Sequence, residues 1–228
     1  MSLFIVFSGL DCSGKSTQIE ILKKNLKQKD KKVLVFWSRG GYTNGFQKLK
    51  DVIRIFFDKK LPKSGNSPER DKAFSNPIIR KLWLTIAMLD LVYYYCIYLR
   101  FKSIVGFNII CDRYLMDTFI DFKLTYPLNK TEKMFLWKIL ELFSKKPDFH
   151  FVSTIPVSES VIRSKFKYEP FPDSPETLAK RLEIYNEFLK NHENLIFIDG
   201  LRDKNYITDD INKIIGTIKN IADLTIFL

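Results

Sequence analysis

Apolar residues gather in short blocks along this chain instead of alternating with polar ones. The blocks are Leu3-Phe4-Ile5-Val6-Phe7, Lys32 to Trp37, Phe107 to Cys111, Phe149 to Ser153 and Leu195 to Ile198. A run of this length with no polar face is a strand covered on both sides, which is the pattern of a parallel sheet. Between the blocks, hydrophobic positions recur at helical spacing over Ile19 to Lys27, Pro77 to Lys102, Thr131 to Phe143, Val157 to Phe166, Pro175 to Asn191 and Ile207 to Ile221. Strand and helix therefore alternate. This predicts an α/β protein, a three-layer α/β/α arrangement on a five-stranded parallel sheet with ligands at the carboxyl ends of the strands. Phe46 to Asn76 departs from the pattern, with a helix expected around Gln47 to Phe57 and then an exposed Lys/Pro/Ser-rich connection, Lys59 to Ser67. No internal repeat is visible.

Leu82 to Leu99 needs separate weighing, because it holds a single charge, Asp90, between Arg80-Lys81 and Arg100. Its length would suit a membrane span. The acid near its middle, and Tyr93, Tyr94, Tyr95 and Tyr98 in its second half, favour a buried core helix. The whole chain has 228 residues, 46% of them hydrophobic, with no linker-like segment, so a single domain over 1–228 is expected. Three cysteines without Cys-x-x-Cys spacing suggest neither disulfides nor a zinc site. The N-terminus lacks the features of a secretory signal, so a cytoplasmic protein is expected. The net charge of +11 raises the question of nucleic acid. Yet Lys23, Lys24, Lys27, Lys29, Lys31 and Lys32 cluster at the end of the first helix, without interleaved aromatics, and read as a solvated face. Neither a nucleic acid nor a membrane is expected as a partner.

The chemistry starts at Gly9-Leu10-Asp11-Cys12-Ser13-Gly14-Lys15-Ser16-Thr17, set between the first strand and the first helix. In the spacing G-x-x-x-x-G-K-[ST], the glycines let the backbone curl so that successive N–H groups face one concavity at a helix N-terminus. Residues Gly9 and Asp11 to Thr17 are the expected contacts of ATP phosphates. Lys15 would reach the β- and γ-phosphates, and the Ser16 hydroxyl would supply one ligand to Mg²⁺. A second segment, Ile109-Ile110-Cys111-Asp112-Arg113-Tyr114, delivers an acid and a base at a strand end. Asp112 there can hold Mg²⁺ or orient an acceptor, and Arg113 can clamp a phosphate; the alternative is a helix cap beside a solvated arginine. A third is Trp37-Ser38-Arg39-Gly40-Gly41, where Arg39 is placed to reach another phosphate or lies on a surface turn.

With these three motifs in this order, the chain resembles the thymidylate kinase family of P-loop nucleoside monophosphate kinases over nearly its whole length. Lys146-Pro147-Asp148, Arg163 and Arg181-Leu182-Glu183-x-Tyr185 are also similar to that family's pattern. The resemblance implies transfer of the γ-phosphoryl group of ATP to a deoxynucleoside monophosphate, most simply dTMP, with Mg²⁺ as cofactor and a homodimer formed through helices. It gives Lys15, Arg39, Arg113 and Arg163 catalytic roles. It places Asp11, Arg39, Arg113, Tyr114, Asp121 and Phe122 on the acceptor side, and Ser16 and Asp112 at the metal. Some members carry a basic residue inside the phosphate loop. Here that place is Cys12, so the cation is expected from a small helical lid, about 163–176, bearing Arg163, Lys165 and Lys167.

Three departures bear on the acceptor. The family's Glu-Pro-Gly after the arginine is Gly40-Gly41-Tyr42; its Ala-Tyr-Gln beside the thymine ring is Ile120-Asp121-Phe122; and Asp90 is followed by Leu91 where an arginine is expected. Phe122 remains able to stack on a base, while Asp121 either reads a base amino group or faces water. Two other classes compete with the kinase reading. A regulatory P-loop switch would want Asn-Lys-x-Asp after a buried strand, and the chain offers only Asn129-Lys130-Thr131-Glu132 in a polar loop. A degenerate scaffold would not need the intact Gly14-Lys15-Ser16.

Overall fold

In the computed structural model, β1 (Phe4–Gly9), β2 (Val33–Trp37), β3 (Asn108–Asp112), β4 (Phe149–Thr154) and β5 (Leu195–Asp199) form one parallel sheet in the order β2-β3-β1-β4-β5. The structure describes residues 2–38, 75–127, 129–167 and 173–225, with side chains to 217. Arg39, the expected helix Gln47 to Phe57, the connection Lys59 to Ser67 and the lid residues 168–172 lie outside the described residues. β1 is the central strand, with Phe7 level with Asp112 on one side and Phe151 on the other. Consecutive side chains of β1 therefore feed two cores. Phe4 and Val6 pack with Ile109, Cys111, Leu84, Met88 and Trp137 on one face. Ile5 and Phe7 pack with Ile110, Phe151, Ile19, Leu22, Ile207 and Ile211 on the other.

The second face is covered by α1 (Lys15–Gln28) and α8 (Lys204–Thr225). The first is covered by α2 (Pro77–Val92), a π-helical turn Tyr93–Tyr98, α3 (Leu99–Ile104), α4 (Leu115–Thr125) and α5 (Phe135–Phe143). α6 (Val157–Lys167) and α7 (Pro175–Asn191) follow β4, and α7 continues that first layer through Ile184 and Tyr185 against Val152. The α/β/α layering expected from the apolar blocks is thus the observed one. Helix starts follow ordinary capping. Asn76 accepts from the Ile78 and Ile79 amides with Pro77 in the first turn, and Ser174 does the same for Thr177 ahead of Pro175.

The long apolar segment is a core helix on one side only. Leu84, Met88, Leu91, Tyr95 and Leu99 are buried, whereas Leu82, Leu89, Tyr93, Ile97 and Phe101 are exposed. Spacings of four would drift around an α-helix of 3.6 residues per turn. The wider i→i+5 turn at Tyr93–Tyr98 takes up that drift and keeps each row on its face. Residues Pro77–Ile104 are long and apolar enough to cross a membrane, and the buried row is what ties them to the sheet.

α4 was not legible as a helix. Its inward face carries Asp117, Thr118 and Asp121, all buried, so the apolar periodicity is interrupted where the helix is most enclosed.

Candidate active site

The turn after β1 is forced by backbone proximity. Gly9 has φ 127°, and a Cβ there would lie 1.9 Å from the Ser153 carbonyl oxygen, so no side chain fits. Gly14, at φ 92°, caps α1 in open space, and Cys12 also takes a left-handed conformation at φ 60°. Three successive loop carbonyls are bound from outside. Ser160 Oγ donates to the Asp11 oxygen at 2.8 Å, Arg163 Nη1 to the Cys12 oxygen at 3.3 Å and Ser153 Oγ to the Ser13 oxygen at 2.8 Å. Because a peptide's C=O and the next N–H point in opposite directions, those bonds turn the Cys12 and Gly14 amides away from β4 and α6, while the Ser13 amide is taken by the Leu10 oxygen at 3.4 Å. The loop is therefore held as an anion cradle by β4 and α6 as well as by its own glycines.

Lys15 is buried and folds back over the loop, donating to the carbonyls of Gly9, at 3.0 Å, and Leu10. Burial, reinforced by the neighbouring Arg113 charge, pulls its ammonium down to about 8. Ser16 and Thr17 are exposed in the first turn of α1. Asp112 ends β3 directly beside Phe7, and burial raises its carboxyl above the ordinary range against the pull of Lys15 and Arg113. Ser16 and Asp112 offer one hydroxyl and one carboxylate, hard oxygen donors that leave most positions to water and phosphate. That set suits Mg²⁺. Among the described residues no group of three or more His, Cys, Asp or Glu could hold a metal ion.

Arg113 is the link between the two halves. It sits at φ 73°, an uncommon conformation for a non-glycine residue, with its amide donating to the Phe7 oxygen at 2.9 Å. Its Nη2 pairs with Asp11 of the loop, and its Nη1 lies 3.4 Å from Asp117 Oδ1. Asp117 also accepts from Tyr185 Oη at 2.6 Å, from the Tyr114 amide at 3.0 Å and from Ser8 Oγ. Burial alone would push the Asp117 carboxyl up; Arg113 and these donors reverse that and hold it below the usual carboxylate range. Beyond Ser8 lies His150, with Nε2 2.8 Å from the same hydroxyl. Ser8 gives its only proton to Asp117, so His150 must donate through Nε2, and burial keeps its ring neutral near pH 7.

That neutrality has a measurable consequence. Burial drops the His150 imidazole from 6.5 to about 4 despite the nearby Asp117 charge. The unfolded chain therefore binds a proton that the folded one refuses. Stability should be fully present above pH 6.5 and should fall by about 3 kcal/mol as the pH drops from 6.5 to 4. Denaturant titrations of wild type and His150→Gln at pH 7 and pH 4 check this, the variant losing most of the slope. Asp117 acts lower, its contribution disappearing only below its ordinary value of 3.8.

The structure moves four expected site residues to other work. Tyr114 is buried, with its ring edge-on to Phe4 at 5.2 Å and its hydroxyl donating to the Lys145 oxygen, so it points along the sheet toward the start of β4 instead of at an acceptor. Phe122 lies in the core against Trp137 and Tyr126 and is not placed to stack on a base. Asp121 is buried in an ion pair with Arg181 Nη1 at 2.6 Å, so it neither reads a base nor faces water. Arg163 is committed to Glu159 at 2.6 Å and to the Cys12 and Gly200 carbonyls, which makes it a brace of the phosphate loop and not a cation above it. Sequence reasoning missed Ser8, Asp117 and His150. The only signal was polar residues inside apolar stretches.

A phosphate-loop turn between the central strand and the first helix of a five-stranded parallel sheet is the arrangement of the P-loop kinase fold. No protein-family model matches the chain. It is 28% identical to a thymidylate kinase of Thermosipho melanesiensis over 94% of this chain and 98% of that protein. It is 26% identical to a probable thymidylate kinase 2 of Saccharolobus solfataricus, covering 94% of this chain and 95% of the relative. A thymidylate kinase of Sulfurihydrogenibium is 28% identical over 89% and 91%. Over nearly its whole length the chain is therefore similar to thymidylate kinases, and these relatives indicate an ATP-dependent nucleoside monophosphate kinase.

Proposed function

We propose that the protein transfers the γ-phosphoryl group of ATP to dTMP, giving ADP and dTDP. An oxygen of the acceptor phosphate bonds to the γ-phosphorus while the bond to the β,γ-bridging oxygen breaks, and the leaving oxygen stays on ADP. The observation that carries this reading is the Asp11–Arg113 pair, which joins the donor loop to the acceptor-side strand end. Near-complete coverage of relatives named thymidylate kinase supports dTMP over other acceptors.

Each residue acts by position and charge, since phosphoryl transfer asks for little covalent chemistry from protein. The loop amides hold the donor phosphates, Lys15 meets charge on the migrating group, and Arg113 with Arg39 holds the acceptor phosphate. Ser16 and Asp112 would hold Mg²⁺, which when bound neutralises charge shared by the β- and γ-phosphates. Lys165 and Lys167, at the end of α6, are the remaining lid cations within a lid of 163–176 in a single 1–228 domain. We place the enzyme in the cytoplasm, with no nucleic-acid or membrane partner. Assayed with ATP, Mg²⁺ and a panel of nucleoside monophosphates, it should turn over dTMP fastest; turnover of none would overturn the reading.

We further propose a homodimer through the exposed row of the long helix, in which Leu82, Leu89, Tyr93, Ile97 and Phe101 lie outward. An apolar stripe of this length on a soluble enzyme wants a partner surface. Sedimentation velocity should show a dimer, and Ile97→Glu combined with Phe101→Glu should give a monomer. A wild-type monomer would contradict the proposal.

A further inference from the structure

Asp117 belongs neither to the phosphate loop nor to the strand-end motif, yet it is the most enclosed charge of the site, with its side chain 1% exposed. Both ends of the Arg113 fork carry a carboxylate, and the two differ in kind. At Nη1, Asp117 is fixed by donors from three elements: Ser8 of β1, Tyr185 of α7 and the Tyr114 amide at the start of α4. Moving it would orphan all of them inside the core. At Nη2, Asp11 sits on a loop with its side chain 16% exposed.

We infer that Asp117 is a positioning residue, clamping one end of the Arg113 guanidinium so that the end now paired with Asp11 is the one an acceptor phosphate takes over. This rests on the assignment of Arg113 to the acceptor. An arginine at φ 73° leaves its strand in a direction that packing alone does not fix, and a charged partner provides both orientation and a counter-ion. The exchange keeps the count of hydrogen bonds at Nη2 constant, since one anion replaces another. Tyr185 stands 3.4 Å from Arg113 Nη1 and keeps the Asp117 oxygen from rotating away.

The test is steady-state kinetics on the full chain with Asp117→Asn. Loss of one charge-assisted bond should raise the KM for dTMP about 10- to 100-fold, with the KM for ATP changed by no more than about threefold. In an Arg113→Ala background the same substitution should add nothing, because its effect passes through Arg113. If circular dichroism shows that Asp117→Asn does not fold, Tyr185→Phe carries the test, with a several-fold rise for dTMP alone. Equal rises for both substrates, or an undiminished effect without Arg113, would overturn the inference. A wild type that does not turn over dTMP would overturn the proposed function, and this inference with it.

Discussion

Lys15→Ala should lower kcat by about a thousandfold while leaving the protein as stable as wild type or slightly more so. The two halves of that expectation have one cause. Burial and the Arg113 charge depress the Lys15 ammonium from 10.5 to about 8, which means that the folded protein holds this cation at a free-energy cost. Among the described residues no carboxylate is bonded to it, and its partners are the carbonyls of Gly9 and Leu10 and, at 3.4 Å, the Ser13 hydroxyl. Such an arrangement makes sense when the missing counter-charge is the migrating phosphoryl group. Deleting a preorganised donor aimed at developing charge costs about two to three orders of magnitude in kcat. Deleting a buried cation with no carboxylate bonded to it costs the fold little. Rates from a coupled ADP assay, with thermal unfolding of the same sample, read both halves. A variant that is inactive because it is unfolded would refute the argument.

Arg181→Ala is expected to do the reverse, lowering the unfolding free energy by about 3–5 kcal/mol. Arg181 is 2% exposed and bridges Asp121 on α4, at 2.6 Å, to Asp173 just before α7, at 3.0 Å. Removing it takes this cation from two carboxylates, one of them deep between helices. At about 2–4 °C per kcal/mol for a protein of this size, the melting temperature should fall by roughly 10 °C. Replacing all three charges with apolar residues, Arg181→Met with Asp121→Leu and Asp173→Leu, should recover most of the loss, because the penalty lies in buried acids deprived of the Arg181 cation. Melts at one fixed protein concentration check both, and equal destabilisation by the single and triple replacements would show that the triad stabilises on its own account.

The contrast between these residues shows what could be read in the chain. The five apolar blocks and the Gly9 to Thr17 spacing are local signals, and each of the five strands stands close to where its apolar block placed it. The loop's glycines have reasons that sequence rules already contain: Gly9 must pass against Ser153, and Gly14 must start a helix in a left-handed conformation. What surrounds the loop was hidden because it is assembled from distant segments. Ser8, Asp117, His150 and Tyr185 come from β1, α4, β4 and α7, and only the folded sheet brings them together. The misassigned residues failed for a related reason. Asp121 and Phe122 occupy positions where the resemblance implied base contacts, but each is turned into the core, one against Arg181 and the other against Trp137. A motif gives the order of residues; the direction of a side chain depends on what is packed behind it.

On the proposed reading, losing those two contacts places the burden of acceptor recognition on phosphate-binding groups, Arg113 above all. If Arg113 holds the acceptor as proposed, its pairing with Asp11 of the loop links the two substrates, and phosphoryl transfer should depend strictly on both. Phosphorus NMR on the enzyme with ATP and Mg²⁺, recorded with and without dTMP, tests this directly. The expected result is one dTDP for every ADP when dTMP is present, and negligible ADP when it is absent. ADP appearing at the same rate in both samples, with no dTDP, would contradict the account.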